Sequence, residues 1–150
     1  MDDKGLERLA RDSIETFNNS DWERWRKLHA PNMSYEEIAT NRKMTGHDEI
    51  LTAYKAWRKA FPDMQGTVKN VVVGGDQVVV EVEWKGTHRG TLETPMGVIP
   101  PSGRSSINKG MLLMKVEKDR VILNRHYFDF YGMLRDVGAL PETLKKTAGA

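Results

Sequence analysis

The sequence predicts an α+β domain in which helices pack on one side of a curled antiparallel sheet. Three observations carry this. Apolar residues recur at helical spacing as far as Phe61; from Gln65 onward the period changes to two; and turn signals separate the later apolar runs. A curled sheet closed at one end by helices makes a cone with an apolar interior, and such interiors are natural ligand sites.

Helix one is predicted from Leu6, Leu9, Ala10, Ser13, Ile14 and Phe17, which share one stripe. Asn18-Asn19 ends it. Ser20 with Glu23 three residues later reads as a capping box for helix two, which carries Trp22, Trp25, Leu28 and His29 before Pro31 stops it. Met33, Tyr35 and Glu37 alternate with polar neighbours, as in a strand, and residues 41–46 read as a loop. Helix three is expected from His47 to Ala60, with Ile50, Tyr54, Trp57 and Phe61 on its apolar stripe. His47-Asp48-Glu49 belong to its start, where acids suit the dipole; adjacent residues point to different faces and make a poor metal cluster. The β-branched run from Thr67 to Val73 is a strand, and Gly74-Gly75-Asp76 is a turn. Gln77 to His88 follows as a strand with Val78, Val80, Val82, Trp84 and His88 on one face. Thr91 to Ser102 holds three prolines and is read as an excursion. Long strands are expected over Arg104–Glu117 and Arg120–Asp129, around a Lys118-Asp119 turn, then a short helix over Tyr131–Val137 with Gly138 at its end.

The 150 residues suit one domain, 1–150, with a core of about 3–141 and a charged tail that includes Lys145-Lys146. The 23 Lys+Arg and 21 Asp+Glu leave a net charge of +2, and the two signs are interleaved, which argues against a nucleic-acid partner. With no cysteine there is no disulfide scaffold, thiolate nucleophile or Cys-held metal, and a reducing, cytoplasmic location is compatible. No apolar run reaches the ~20 residues that span a bilayer, so no membrane partner is expected, and no signal peptide is visible.

Four ordered segments then carry a resemblance: Phe61-Pro62-Asp63-Met64; Gly86-Thr87-His88-Arg89-Gly90; Pro100-Pro101-Ser102-Gly103-Arg104; and Tyr127-Phe128-Asp129 with Gly132-Met133-Leu134 and Val137-Gly138. Together they resemble the SnoaL-like polyketide cyclase family, within the nuclear transport factor 2-like superfamily. The resemblance implies a cone with a curved antiparallel or mixed sheet, three N-terminal helices and a short C-terminal helix. It also implies ring closure by intramolecular aldol condensation with an aspartate as acid/base, no metal or organic cofactor, and homo-oligomers paired through the outer sheet face. Leu112, Met114 and Val116 on one parity, against Met111 and Leu113 on the other, suit a strand covered on both sides, and a homodimer is expected. The family aspartate matches Asp129, while Thr91 to Val98 looks longer than the family's usual link.

Asp129 and His88 are therefore the candidate catalytic residues. Asp129 has two readings that need not exclude each other: a pocket carboxyl whose pKa burial lifts toward working pH, and the N-cap of the last helix. His88 could donate to a substrate carbonyl or serve as a satisfied core histidine. Trp25, Met33, Tyr54, Trp57 and Met111 are the expected apolar lining for a hydrophobic small molecule, though aromatic residues at helical spacing also serve as plain core. Met44, Met96 and Met133 are expected toward the mouth. If strand alternation continues through Asp129, Arg125 and Tyr127 share its face, Tyr127 can donate into the pocket, and His126 lies on the oligomer face. Asn108 stays undecided. Two other readings remain open: a non-catalytic binding or sensing domain, and a ketosteroid-isomerase-like or hydratase-like proton-transfer enzyme.

Overall fold

The structure is a computed structural model, and it describes residues 1–144. The tail lysines Lys145 and Lys146 lie outside the described residues. Helices α1 (Asp3–Asn18) and α2 (Trp22–Leu28) come first, then strands β1 (His29–Glu37) and β2 (Arg42–Thr45), helix α3 (His47–Ala60), and strands β3 (Gln65–Gly74) and β4 (Gln77–Thr87). A small hairpin, β5 (Leu92–Thr94) and β6 (Gly97–Ile99), precedes the long strands β7 (Ser105–Glu117) and β8 (Arg120–Phe128); helix α4 (Phe130–Asp136) and a 3-10 turn (Glu142–Leu144) follow. The main sheet has six strands in the order β2-β1-β8-β7-β4-β3. Its one parallel pair is β1–β8; the other pairs are antiparallel, so the sheet is mixed. Helix α1 packs on β3 and β4, and α3 on β1 and β2. The core between helices and sheet is built from Leu9, Ile14, Trp25, Ile50, Val80, Met114 and their neighbours.

Several boundaries move for local reasons. Ser20 does not cap α2. It sits at φ +50 as the left-handed residue after α1, where Asp21 N–H reaches Thr16 O at 2.8 Å, and Asp21 is the cap, accepting from Arg24 N–H at 3.1 Å. Helix α2 stops before His29, which opens β1, and Pro31 is tolerated inside that strand because the β1–β8 register shifts between His29 and Ser34. Residues 42–45, expected as loop, form an edge strand on β1. The proline-rich excursion contains the β5–β6 hairpin. At the far end the expectation of a glycine stop holds: Gly138 has φ +73, and Ala139 N–H closes on Leu134 O at 2.8 Å. His47, Asp48 and Glu49 do start α3, with Glu49 Oε2 accepting from Thr45 N–H at 3.1 Å and Asp48 paired to Arg26.

Candidate active site

Alternation on the central strands decides what faces the helices. On β7 the even positions Ser106, Asn108, Leu112, Met114 and Val116 are buried, while Ile107 and Met111 are exposed. On β8, Asn124, His126 and Phe128 turn inward. Asn108 and Leu112 of β7, these three side chains of β8, and Ser13, Ile14 and Phe17 from α1, Trp25 from α2, and Tyr54 and Trp57 from α3 line a cavity of about 680 Å³, the open solvent at its mouth included. Tyr35, Met64, Trp84 and Met133 complete the wall.

The wall is mostly apolar; besides Ser13, Asn108 and Asn124, its polar groups fall along one line of hydrogen bonds. β1 and β8 run parallel with Tyr35 beside Asn124 and Glu37 beside His126, so all four side chains share a face. Tyr35 Oη lies 3.1 Å from Glu37 Oε2 and 3.2 Å from His126 Nδ1. Trp84 Nε1–H reaches His126 Nε2 at 3.3 Å. An indole nitrogen only donates, so Nε2 is the bare nitrogen of His126 and Nδ1 carries the proton. The direction of the chain follows: His126 Nδ1–H donates to Tyr35 Oη, and Tyr35 O–H donates to Glu37.

Glu37 is fully buried and has four donors. Tyr35 and, at 3.0 Å, Trp57 Nε1–H serve Oε2, while Thr40 O–H and the Arg42 guanidinium, at 2.5 and 2.7 Å, serve Oε1. Burial alone would raise its pKa, but Thr40, Arg42 and Trp57 together outweigh that and hold it below the usual glutamate value. The carboxylate is therefore charged. His126 is brought down to about 4, because burial disfavours the imidazolium more than the Glu37 charge favours it. Burial and the same carboxylate push the Tyr35 hydroxyl well above its ordinary value. His126 thus stands neutral at pH 7, with an acceptor nitrogen in an apolar cavity and an anion two hydrogen bonds behind it.

A second histidine holds two lining residues, Ser13 and Trp25. His29 Nδ1–H donates to Trp25 O at 2.7 Å, its Nε2 accepts from Ser13 O–H at 3.0 Å, and the ring stacks on Trp25 at 4.2 Å. Burial lowers its pKa to about 4.

Of the expected lining, Trp25, Tyr54 and Trp57 reach the cavity, and so does Met133. Met33 and Met44 are buried in the core instead, and Met96 is exposed on the β5–β6 hairpin. Met111 and Tyr127 are corrections. They are opposite each other in the β7–β8 register, and both are exposed, at 43% and 44%, on the outer face. His88 is buried away from the cavity, tilted against Phe61 with ring centroids 5.3 Å apart. Its Nδ1 accepts Ser102 N–H at 3.2 Å and its main chain bonds Gly103 and Arg104, so it holds the 100–104 segment. Asp129 does not enter the cavity either: it is exposed, and its Oδ1 accepts Gly132 N–H at 2.8 Å as the N-cap of α4. The strand ends at Phe128, so alternation counted back from Asp129 inverted the faces of β8 and sent His126 outward. Sequence reasoning missed Glu37, Tyr35, Asn124 and His126 as a group. The available signal was the shared parity of Met33, Tyr35 and Glu37; the pairing of β1 with β8 had none. Asn108, undecided from sequence, faces inward and joins its amide to both backbone groups of Asp129, at 2.7 and 3.1 Å.

No group of three or more His, Cys, Asp or Glu able to hold a metal occurs among the described residues. Likewise, no described helix is long and apolar enough to cross a membrane.

Comparison with known proteins agrees with the layout. The family model described as SnoaL-like polyketide cyclase matches residues 7–137. No curated protein matches. Among solved structures, a SnoaL-like protein from Jannaschia sp. CCS1 is 20% identical, with a TM-score of 0.82 over 92% of this chain and 94% of that one. TsrD from Streptomyces laurentii is 21% identical, with a TM-score of 0.80 over 93% and 99%. IdmH from Streptomyces antibioticus is 24% identical, with a TM-score of 0.75 over 89% and 98%. At these identities the likeness is one of fold, of the nuclear transport factor 2-like kind. The family match covers most of the sequence, and on that ground the chain belongs to the SnoaL-like polyketide cyclase family.

Proposed function

We propose that the protein is an acid/base enzyme acting on a hydrophobic small molecule in the central cavity, by proton abstraction of the intramolecular aldol type. The carrying observation is the unprotonated Nε2 of His126, set in a largely apolar wall and connected through Tyr35 to the charged Glu37; its lone pair accepts Trp84 Nε1–H at 3.3 Å, and that long bond must open to admit a substrate C–H. His126 takes a proton from the carbon next to a substrate carbonyl. The enolate attacks a second carbonyl of the same molecule, forming one carbon–carbon bond and an alkoxide, and the imidazolium returns its proton to that oxygen. The chemistry is redox-neutral. While charged, the imidazolium is stabilised by the Glu37 carboxylate through the Tyr35 hydroxyl. Asp129, the residue marked by the family resemblance, keeps a capping role in this reading.

The test uses 2-tetralone, a bicyclic ketone with acidic C–H bonds, and follows exchange of those protons in D2O by NMR. The wild-type protein is expected to accelerate exchange. His126→Asn should abolish the acceleration and Asp129→Asn should keep it. The reverse pattern would move the base back to Asp129. Exchange no faster than buffer for every form would favour a non-catalytic binding domain, the reading that the exposed Asp129 cap supports. For the assembly we propose a homodimer through the outer sheet face, where Ile107, Met111 and Tyr127 are exposed. Light scattering giving a 17.1 kDa particle at micromolar concentration would refute it. The cysteine-free composition suits a cytoplasmic setting.

A further inference from the structure

Asn124 is 2% exposed and lines the cavity. Its Nδ2 donates to Tyr54 Oη at 3.4 Å, and its Oδ1 is buried with no donor. Two other buried side-chain nitrogens among the described residues lack partners, on Arg58 and His88, and neither residue lines this cavity. A buried amide oxygen left unpaired costs stability in the empty protein, and a ligand that supplies the missing donor recovers it. Asn124 stands two residues before His126 on the same face of β8, a separation of roughly 7 Å along a strand. Aromatic rings of Phe17, Trp25 and Tyr54 stand edge-to-face around this part of the cavity, with centroids 5.7 to 5.8 Å apart.

We propose that Asn124 is a specificity-determining residue that selects a flat apolar ligand bearing a hydroxyl donor, of the phenol or enol class, about one ring's width from the proton that His126 removes. This rests on the reading of the cavity as the substrate site. The ligand's O–H replaces the missing donor at Oδ1; an ether or a hydrocarbon of the same shape leaves that oxygen unpaired and is rejected.

The experiment compares 2-naphthol with 2-methoxynaphthalene by ligand-observed NMR titration, on wild type, Asn124→Leu, Asn124→Asp and His126→Asn, each checked for folding by circular dichroism. Wild type is expected to prefer the naphthol by about tenfold. Asn124→Leu should bring the ratio to about one by weakening the naphthol and not the ether. Asn124→Asp, which keeps an acceptor, should restore the preference even if Asn124→Leu fails to fold. His126→Asn should keep the preference while losing tetralone exchange, which separates this inference from the catalytic reading. A wild-type ratio near one, a preference for the ether, no binding of either compound at its solubility limit, or a preference that survives in folded Asn124→Leu would each overturn it.

Discussion

Replacing Glu37 by Gln tests the polar line at its anchor. The carboxylate accepts from Tyr35 and Trp57 on one oxygen and from Thr40 and Arg42 on the other. A glutamine has one oxygen, and its NH2 must face two of those donors. Two charge-assisted bonds are lost, each worth roughly 1.5–3 kcal/mol, and the other two weaken to neutral strength. Removing one partner of a buried ion pair costs roughly 3–5 kcal/mol. The Arg42 side chain is 36% exposed and can rehydrate, which places the loss near the lower end, at ~3 kcal/mol. In a chain of this size that lowers Tm by roughly 6–12 °C. Urea unfolding at pH 7 should show a lower midpoint with an unchanged slope. The same substitution removes the charge that favours the His126 imidazolium, so the ring's pKa, followed by NMR, should fall further below about 4. A Tm change under about 2 °C, or a His126 titration that does not move, would mean that Glu37 neither anchors the wall nor feels the histidine.

Two further outcomes follow from the structure. Asp129→Ala should cost about 1 kcal/mol through loss of the α4 cap, with tetralone exchange intact; a loss of exchange in a folded variant would contradict the capping role. Stability should also fall as pH drops from 6.5 toward 4. His29 and His126 are both neutral in the fold down to about 4, while in the unfolded chain each takes a proton near 6.5. Above 6.5 neither state binds that proton and the contribution is complete; in the window below, the unfolded state binds it first. For the fully buried His29 alone the loss approaches ~3 kcal/mol. Urea midpoints that stay level between pH 7 and pH 4.5 would refute the burial of these rings.

The fold was legible because each element obeys a local rule. The α1 stripe, the β4 alternation and the Gly138 stop all follow from nearest-neighbour geometry, and all appear where expected. The site was only half legible. Trp25, Tyr54 and Trp57 lie on helices whose buried face is set by periodicity, so they reach the cavity as predicted. Residues on β8 needed a correct parity, and one capping residue beyond the strand inverted it, so Tyr127 and His126 were assigned to the wrong sides; Met111, opposite Tyr127 on β7, is also on the outer face. Glu37 was invisible for another reason. Its partners Tyr35, Thr40, Arg42 and Trp57 come from β1, the following turn, β2 and α3, and no local pattern distinguishes a buried glutamate with four donors from a solvated one.

The parallel pairing of β1 with β8 bears on how the chain is made. Tyr35 and His126 are 91 positions apart, and their hydrogen bond cannot form until β8 has left the ribosome. Until then β1 has only the four-residue β2 as a neighbour, and its other edge is an open template for misassembly. Closing so long a loop is the kind of late, non-local step that slows folding. A nascent chain cut short before β8 therefore has neither a finished sheet nor the histidine that Tyr35 binds.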